Sequence, residues 1–340
     1  MMDRGMTFLM RIRLVVLATL VLGMLAIAPT TAQKLGPDGA PNPTASVTSQ
    51  RDLLKQVPRV EGRIDIPDTR AAVLIQPAGR SWDWFHEVLL HWGGAIVIVG
   101  TIALLGLAYL IIGRIRISAG RSGVKILRFK AFERFSHWLT AVSFVILGLT
   151  GLNITFGKIV LLPLVGPDMF SDISQAAKYV HNFTSFAFVA GLVLIIAIFF
   201  KDNLPEKVDI DWVKQGGGFI KNKHAPASRF NLGEKGVYWL SLLAGIAVSV
   251  SGFVLLFPFY GTDIADMQIA QVIHAVVAIL FVALILAHIY IGTLGMEGPF
   301  EAMGTGEVDL NWAKEHHDLW LARKLASEDE QAHPQATPAE

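Results

Sequence analysis

The stretch MQIAQVIHAVVAILFVALILAHIYIGTLGM, residues 267–296, holds no Asp, Glu, Lys or Arg and carries two histidines, His274 and His288. As a helix it is long enough to cross a hydrocarbon core about 30 Å thick. Fourteen residues separate the two rings, and at about 100° per residue they return to within about 40° of one direction. Both therefore lie on one helix face, roughly 21 Å apart along the axis and near opposite edges of the core. An imidazole in lipid is costly unless something partners it. Two at opposite depths fit a helix that holds one haem near each membrane face.

Composition agrees with that setting. Of 340 residues, 53% are hydrophobic and 17% charged, which suits a polytopic membrane protein. The net charge of +1 gives no reason to expect nucleic acid as a partner. Cysteine is absent, which excludes covalent c-type haem and thiolate-held iron–sulfur clusters within this chain. A metal centre here must use histidine or oxygen ligands, and an iron–sulfur relay must belong to another subunit.

Working outward, residues 1–32 read as an export signal: Arg4, Arg11 and Arg13 precede the apolar core Leu14–Ala28, and Thr30-Thr31-Ala32 offers a cleavage site. An uncleaved first membrane helix is the alternative, disfavoured because the run is short and stopped by Pro29. Residues 33–87 form an exported polar segment, and 88–113 an extra transmembrane helix. A basic loop follows over 114–134, a four-helix haem-binding domain over 135–296 and a tail over 297–340. Within that domain the apolar stretches run Phe135–Phe156, Tyr179–Phe200, Gly236–Phe257 and Met267–Leu294. The predicted fold class is thus an all-α membrane protein, a four-helix di-haem bundle preceded by one extra helix and a signal peptide.

Charge orients the spans. Arg114, Arg116, Arg121, Lys125, Arg128, Lys130 and Arg134 crowd the loop after the first span, and Lys201 to Lys235 enrich the loop after the third. The loop after the second has only Lys158 and Lys178, and that after the fourth has no Lys or Arg. The positive-inside rule makes the first two cytoplasmic, the mature N-terminus periplasmic and the C-terminus cytoplasmic. Each histidine then acquires a depth. His181 pairs with His274 near the outer face, and His137 with His288 near the inner face.

Neutral imidazoles on both sides of haem iron make a six-coordinate centre suited to electron transfer. Gly148, Gly151, Gly191, Gly245, Gly252, Ala270 and Ala278 leave room for a flat macrocycle, or simply let helices pack closely. Zinc fits less well, because the histidines fall into separated pairs with no carboxylate at membrane depth. Arg128, Lys130 and Arg134 are read as topology and headgroup contacts, with haem propionates as the alternative. His86 and His91 belong to an outer aromatic belt. His224, His316, His317 and His333 are expected on solvated surface.

From about Phe129 to Trp320 the chain resembles the cytochrome b (gamma) subunit of membrane-bound formate dehydrogenases, within the wider superfamily of di-haem cytochromes b. The matching pieces are Glu133-Arg134-Phe135-Ser136-His137-Trp138, the lone His181 opening the next span, and Asn203-Leu204-Pro205-Glu206-Lys207. Phe230-Asn231-Leu232-Gly233-Glu234-Lys235, the fourteen-residue histidine spacing and Trp312-Ala313-Lys314-Glu315-His316-His317 complete the set. The resemblance implies two haem b groups with His137, His181, His274 and His288 as ligands. It implies a beta subunit with iron–sulfur clusters and an alpha subunit that oxidises formate on a molybdenum or tungsten pterin. It also implies a quinone, menaquinone or ubiquinone, near the cytoplasmic face of the bacterial inner membrane, with Asn231, Gly233 and His288 at its site. Glu234 stands where some relatives carry glutamine, and the N-terminal region with its extra span departs from the compact four-helix form.

This chain is not itself expected to oxidise formate. The alternatives are a cytochrome b subunit of a hydrogenase or thiosulfate reductase, a histidine-lined metal transporter or channel, and a haem-free anchor. Against transport, no intramembrane carboxylate and no obvious pair of broken helices mark a pathway.

Overall fold

Among the described residues of the computed structural model, five helices are long and apolar enough to cross a membrane: Ser81–Ile112, Ala131–Val160, Pro167–Phe199, Leu232–Leu256 and Ile264–Gly295. The structure describes residues 61–63, 73–75, 79–218 and 225–332. The expected signal, most of the exported segment, His224 and His333 lie outside them. A short antiparallel pair, β1 (Glu61–Arg63) and β2 (Val73–Ile75), precedes the first span. That span runs through α1 (Gly79–Trp84), a π-helical stretch Phe85–Gly93 and α2 (Gly94–Ile112). Then come β3 (Lys125–Leu127), α3 (Ala131–Val160), the single turn α4 (Leu162–Val165), α5 (Pro167–Phe199), α6 (Lys207–Lys214), α7 (Leu232–Leu256) and α8 (Ile264–Tyr290). Past a π-helical stretch Ile291–Gly295, the chain ends in α9 (Pro299–Gly304), β4 (Glu307–Asp309), α10 (Leu310–His316) and α11 (Asp318–Ala332).

The spans begin earlier than their apolar stretches, and three of them start with a polar capping box. In α3 the Glu133 carboxylate accepts the Lys130 backbone N–H at 2.7 Å. In α7 Asn231 Oδ1 accepts from Glu234 N at 3.0 Å while Glu234 Oε2 accepts from Asn231 N at 2.9 Å. Asp263 and Asp266 form the same reciprocal box before α8. Such boxes satisfy backbone donors that the first helical turn leaves free. For α5 the start is Pro167, with Asp168 in the first turn where the helix dipole favours an acid.

Within the bundle α3 packs along α5, α7 along α8, and α5 against α7, while α2 lies on α8. Small residues allow the closest approaches. A Cβ on Gly191 of α5 would lie 3.0 Å from the Thr140 backbone nitrogen of α3, and one on Gly94 of α2 would lie 2.6 Å from Ile279 Cδ1 of α8. The bundle interior follows a seven-residue beat, close to two helical turns. On α8 it reads His274, Phe281, His288; on α3 His137, Phe144, Gly151; on α5 His181, Phe188; on α7 Gly245, Gly252. Phe281 thus stands seven residues from each histidine of its helix. Phe144 and Phe281 are 4.5 Å apart by ring centroid, with Phe188 6.2 and 6.4 Å from them. This aromatic trio, with Leu192 and Leu242, fills the middle of the bundle.

The basic loop and the tail fold together rather than trailing as separate segments. β3 pairs antiparallel with β4, Lys125 opposite Asp309 and Leu127 opposite Glu307. The Asp309 carboxylate accepts from the backbone N–H groups of Ser122, Gly123 and Asn311. Ile117, Phe129, Phe199, Val308, Trp312, Ala313 and Leu321 form a second core beneath them. Arg121 joins Glu297 at 2.9 Å and Glu301 at 2.5 Å, tying the loop to the segment after α8.

Three sequence-based expectations are corrected at this end. His317, expected on solvated surface, is fully buried. Its Nδ1–H donates to the Ser228 carbonyl at 3.1 Å, and Nε2 accepts from Arg128 Nη2 at 3.1 Å. Arg128, read as a headgroup contact, is also buried and donates to the Arg229 carbonyl at 2.8 Å. Its guanidinium lies 5.0–5.9 Å from the rings of Phe129, Phe230, Trp312 and Trp320, a cage that stabilises a desolvated cation through ring quadrupoles. Arg134 donates to the carbonyls of Gly304 and Thr305 at 2.9 and 2.8 Å, so it too is a structural tie. Burial pushes Arg128 down to about 10, still charged at neutral pH, with Glu234 opposing the shift. Burial, aided by His317, pushes His316 down to about 4, and burial beside Arg128 lowers His317 as well. Both histidines are therefore neutral at pH 7.

Candidate functional site

The four intramembrane histidines meet as two pairs. His137 of α3 faces His288 of α8 with ring centroids 6.4 Å apart, and His181 of α5 faces His274 of α8 at 6.2 Å. Two metal–nitrogen bonds of about 2 Å, added to two imidazole radii of about 1.1 Å, put the centroids of axial ligands about 6.2 Å apart. Both pairs match that span. It is also too long for a direct hydrogen bond between rings, so a group between them is what the spacing accommodates.

The His181/His274 pair is held from behind. His181 Nδ1–H donates to Thr150 Oγ1 at 2.9 Å, while that hydroxyl donates to the Ile146 carbonyl at 2.8 Å. His274 Nδ1–H donates to the Val248 carbonyl at 3.0 Å, with Ser251 Oγ also 3.2 Å away. With Nδ1 occupied on both rings, each presents the lone pair of Nε2, the arrangement by which a second bond fixes a metal-ligating imidazole. Glycine opens the space beside each ring. A Cβ on Gly252 would lie 3.0 Å from His274 Cε1, and one on Gly151 would lie 3.4 Å from His181 Cε1.

The His137/His288 pair is looser. His137 Nδ1 is buried without a hydrogen-bond partner, and the exposed His288 makes no hydrogen bond among the described residues. Other buried polar atoms at this end also lack partners: Tyr238 Oη and Ser241 Oγ on α7, Arg128 Nη1 and Arg134 Nε. Each costs about 1–3 kcal/mol if left so. Cationic and hydroxyl donors around an imidazole pair suit a haem whose propionates face the basic end. The donor set, the ring separations and the glycine cradles all fit haem.

Asn231 and Gly233 lie at the start of α7. The Asn231 carboxamide oxygen is committed to the cap, which leaves its NH2 as the group available to a ligand. Gly233 packs under Trp212, where a Cβ would lie 3.3 Å from Cη2. Glu234 joins this turn to buried Arg128 and His317, 3.7 Å from Arg128 Nη2 and 3.5 Å from His317 Nε2. Sequence reasoning missed Arg128 and His317 as neighbours of this turn. The available signal was aromatic: Phe129, Phe230, Trp312 and Trp320 sit beside or near basic residues in sequence.

A family model described as prokaryotic cytochrome b561 matches residues 128–306, a range that includes all four histidines. The Escherichia coli K12 protein named formate dehydrogenase, cytochrome b556(fdo) subunit, is 29% identical over 199 residues, 57% of this chain and 91% of the relative. A Haemophilus influenzae formate dehydrogenase cytochrome b556 subunit is 28% identical over 212 residues, 61% and 87% of the two chains. The nitrate-inducible Escherichia coli K12 counterpart is 27% identical over 201 residues, covering 57% and 89%.

Proposed function

The chain belongs to the prokaryotic cytochrome b561 family, and on that premise we propose that it is the di-haem membrane subunit of a respiratory formate dehydrogenase. It anchors an iron–sulfur subunit and a molybdenum or tungsten pterin subunit at the outer face, and serves quinone near the cytoplasmic face. The observation that carries this reading is the two imidazole pairs, each at the separation of axial ligands and fourteen residues apart along α8. The names of the relatives point to formate as the electron source.

Haem, when bound, supplies a one-electron carrier at each depth. His181 and His274 would hold the outer group, their Nδ1 atoms tied to Thr150 and Val248 so that Nε2 stays aimed inward. His137 and His288 would hold the inner one. Phe144, Phe188 and Phe281 exclude water between the two levels. At the inner end Asn231, Gly233 and His288 border the quinone, with the Asn231 NH2 as donor to a quinone carbonyl. Uptake of cytoplasmic protons there, set against proton release by formate oxidation outside, would contribute to the proton-motive force.

The test is to purify the chain with its bound subunits and follow b-type absorption after adding a reductant. Formate should reduce the haem, and a quinone analogue should reoxidise it. Reduction by hydrogen instead, or reoxidation of the reduced haem by thiosulfate, would assign the chain to a hydrogenase or a thiosulfate reductase of the same membrane chemistry. Absence of b-type absorption would contradict the reading altogether.

A further inference from the structure

We propose that His86, Glu87 and His91 form a divalent transition-metal site, suited to zinc, at the end of the first span away from the basic loop. This site lies outside residues 128–306 and is independent of the haem reading.

The backbone register creates it. In a regular α-helix residues five apart point about 140° from one another. From Phe85 to Gly93 the chain is π-helical, and the wider turn closes that angle. One ligand atom from each of the three side chains lies within 4.8 Å of the others. The two imidazoles stand edge to face, centroids 5.4 Å apart and planes at 87°. His86 Nδ1 is 3.2 Å from Glu87 Oε1. Such π segments are uncommon and recur at functional sites.

The ring of His91 is already oriented. Its Nε2–H donates to the Thr155 carbonyl of α3 at 2.9 Å, leaving the Nδ1 lone pair free. A backbone carbonyl holding the second nitrogen is the usual support of a metal-bound histidine. Phe156 packs against the same ring at 6.1 Å, and Trp82 walls His86 at 6.1 Å. Two imidazole nitrogens and one carboxylate oxygen suit zinc, with a fourth position left for water or an added ligand. Calcium and magnesium prefer all-oxygen shells and are disfavoured. Because Thr155 lies one turn beyond Gly151, a bound ion would clamp the first span to the bundle beside the His181/His274 pair.

The experiment uses the full chain in detergent, with haem bound and with an affinity tag other than polyhistidine. After chelation it is equilibrated with zinc and desalted, and zinc and iron are counted in the same sample. One zinc per chain is expected. His86→Ala and Glu87→Gln, neither of which hydrogen-bonds to α3 among the described residues, should each weaken zinc binding about ten-fold or more with iron content unchanged. Wild-type protein that holds no zinc, or variants that hold it as tightly as wild type, would overturn the proposal. One equivalent of Cu2+ gives a decision without any variant: its electron paramagnetic resonance should show coupling to two imidazole nitrogens, and no nitrogen coupling would overturn the site.

Discussion

The two histidine pairs share one helix and nearly one geometry, yet their surroundings differ. Around His181 and His274 both Nδ1 atoms are hydrogen-bonded and glycines flank the rings. Among the described residues His137 and His288 make no ring hydrogen bond, and their end of the bundle holds the buried Arg128 beside Glu234, with Tyr238 Oη, Ser241 Oγ and Arg134 Nε unpartnered. One site is pre-organised by its own helices. The other is left to be ordered by what binds there. That division fits the proposed role, in which one end only receives electrons while the other also meets a quinone and protons.

The largest predicted effect comes from filling a cradle. Gly252→Val should displace the group held by His274, so haem per chain falls by about half while the basic-end site persists; pyridine haemochrome counts would show it. A full complement would mean that the glycine serves helix packing alone. Next, Phe281→Ala removes the centre of the aromatic trio and should lower stability by about 3–5 kcal/mol, as large-to-small core changes do. Both haem sites should loosen together, because Phe281 lies between them; a melt affecting one site only would break that picture. Smaller still, Thr150→Val removes the acceptor of His181 Nδ1–H. Haem loss from that site to an apo-protein scavenger should quicken about ten-fold, with no change at the other site.

That His137 faces His288 and His181 faces His274 was readable in the sequence, because only a few histidines lie within apolar stretches and loop charge assigns each an expected level. The mid-level phenylalanines were not read from the sequence, although Phe144, Phe188 and Phe281 each follow a histidine by seven residues. A hydrophobic residue in a hydrophobic span carries no contrast, so that beat passes unnoticed until the rings are seen in contact. Helix starts at Ala131 and Pro167 escaped hydropathy because their first turns are polar, with Glu133 in one and Asp168 in the other. His317 and Arg128 escaped for a different reason. Charged and polar residues in a loop default to solvent, and their burial depends on β3 meeting β4, a pairing of Lys125 with Asp309 across 183 intervening positions that local pattern does not encode. The π-helical register at Phe85–Gly93 has no counterpart in a pattern based on 3.6 residues per turn.

The smallest effect concerns acid. His316 is pushed down to about 4 and His317 is lowered, so the folded chain binds fewer protons than the unfolded one. Their contribution is present above the ordinary histidine value of about 6.5 and is lost as pH falls toward about 4. Tryptophan fluorescence should therefore show the environment of Trp312 and Trp320 loosening over that window, ahead of any change at His181 and His274. Simultaneous loss at both ends would erase the distinction between them.

The central claim is that the four histidines act as two bis-histidine pairs, and haem content of two double variants tests it most directly. His137→Ala/His288→Ala empties one pair and should retain one haem per chain, whereas His137→Ala/His181→Ala damages both and should retain none. Equal haem content in the two double variants would contradict the pairing.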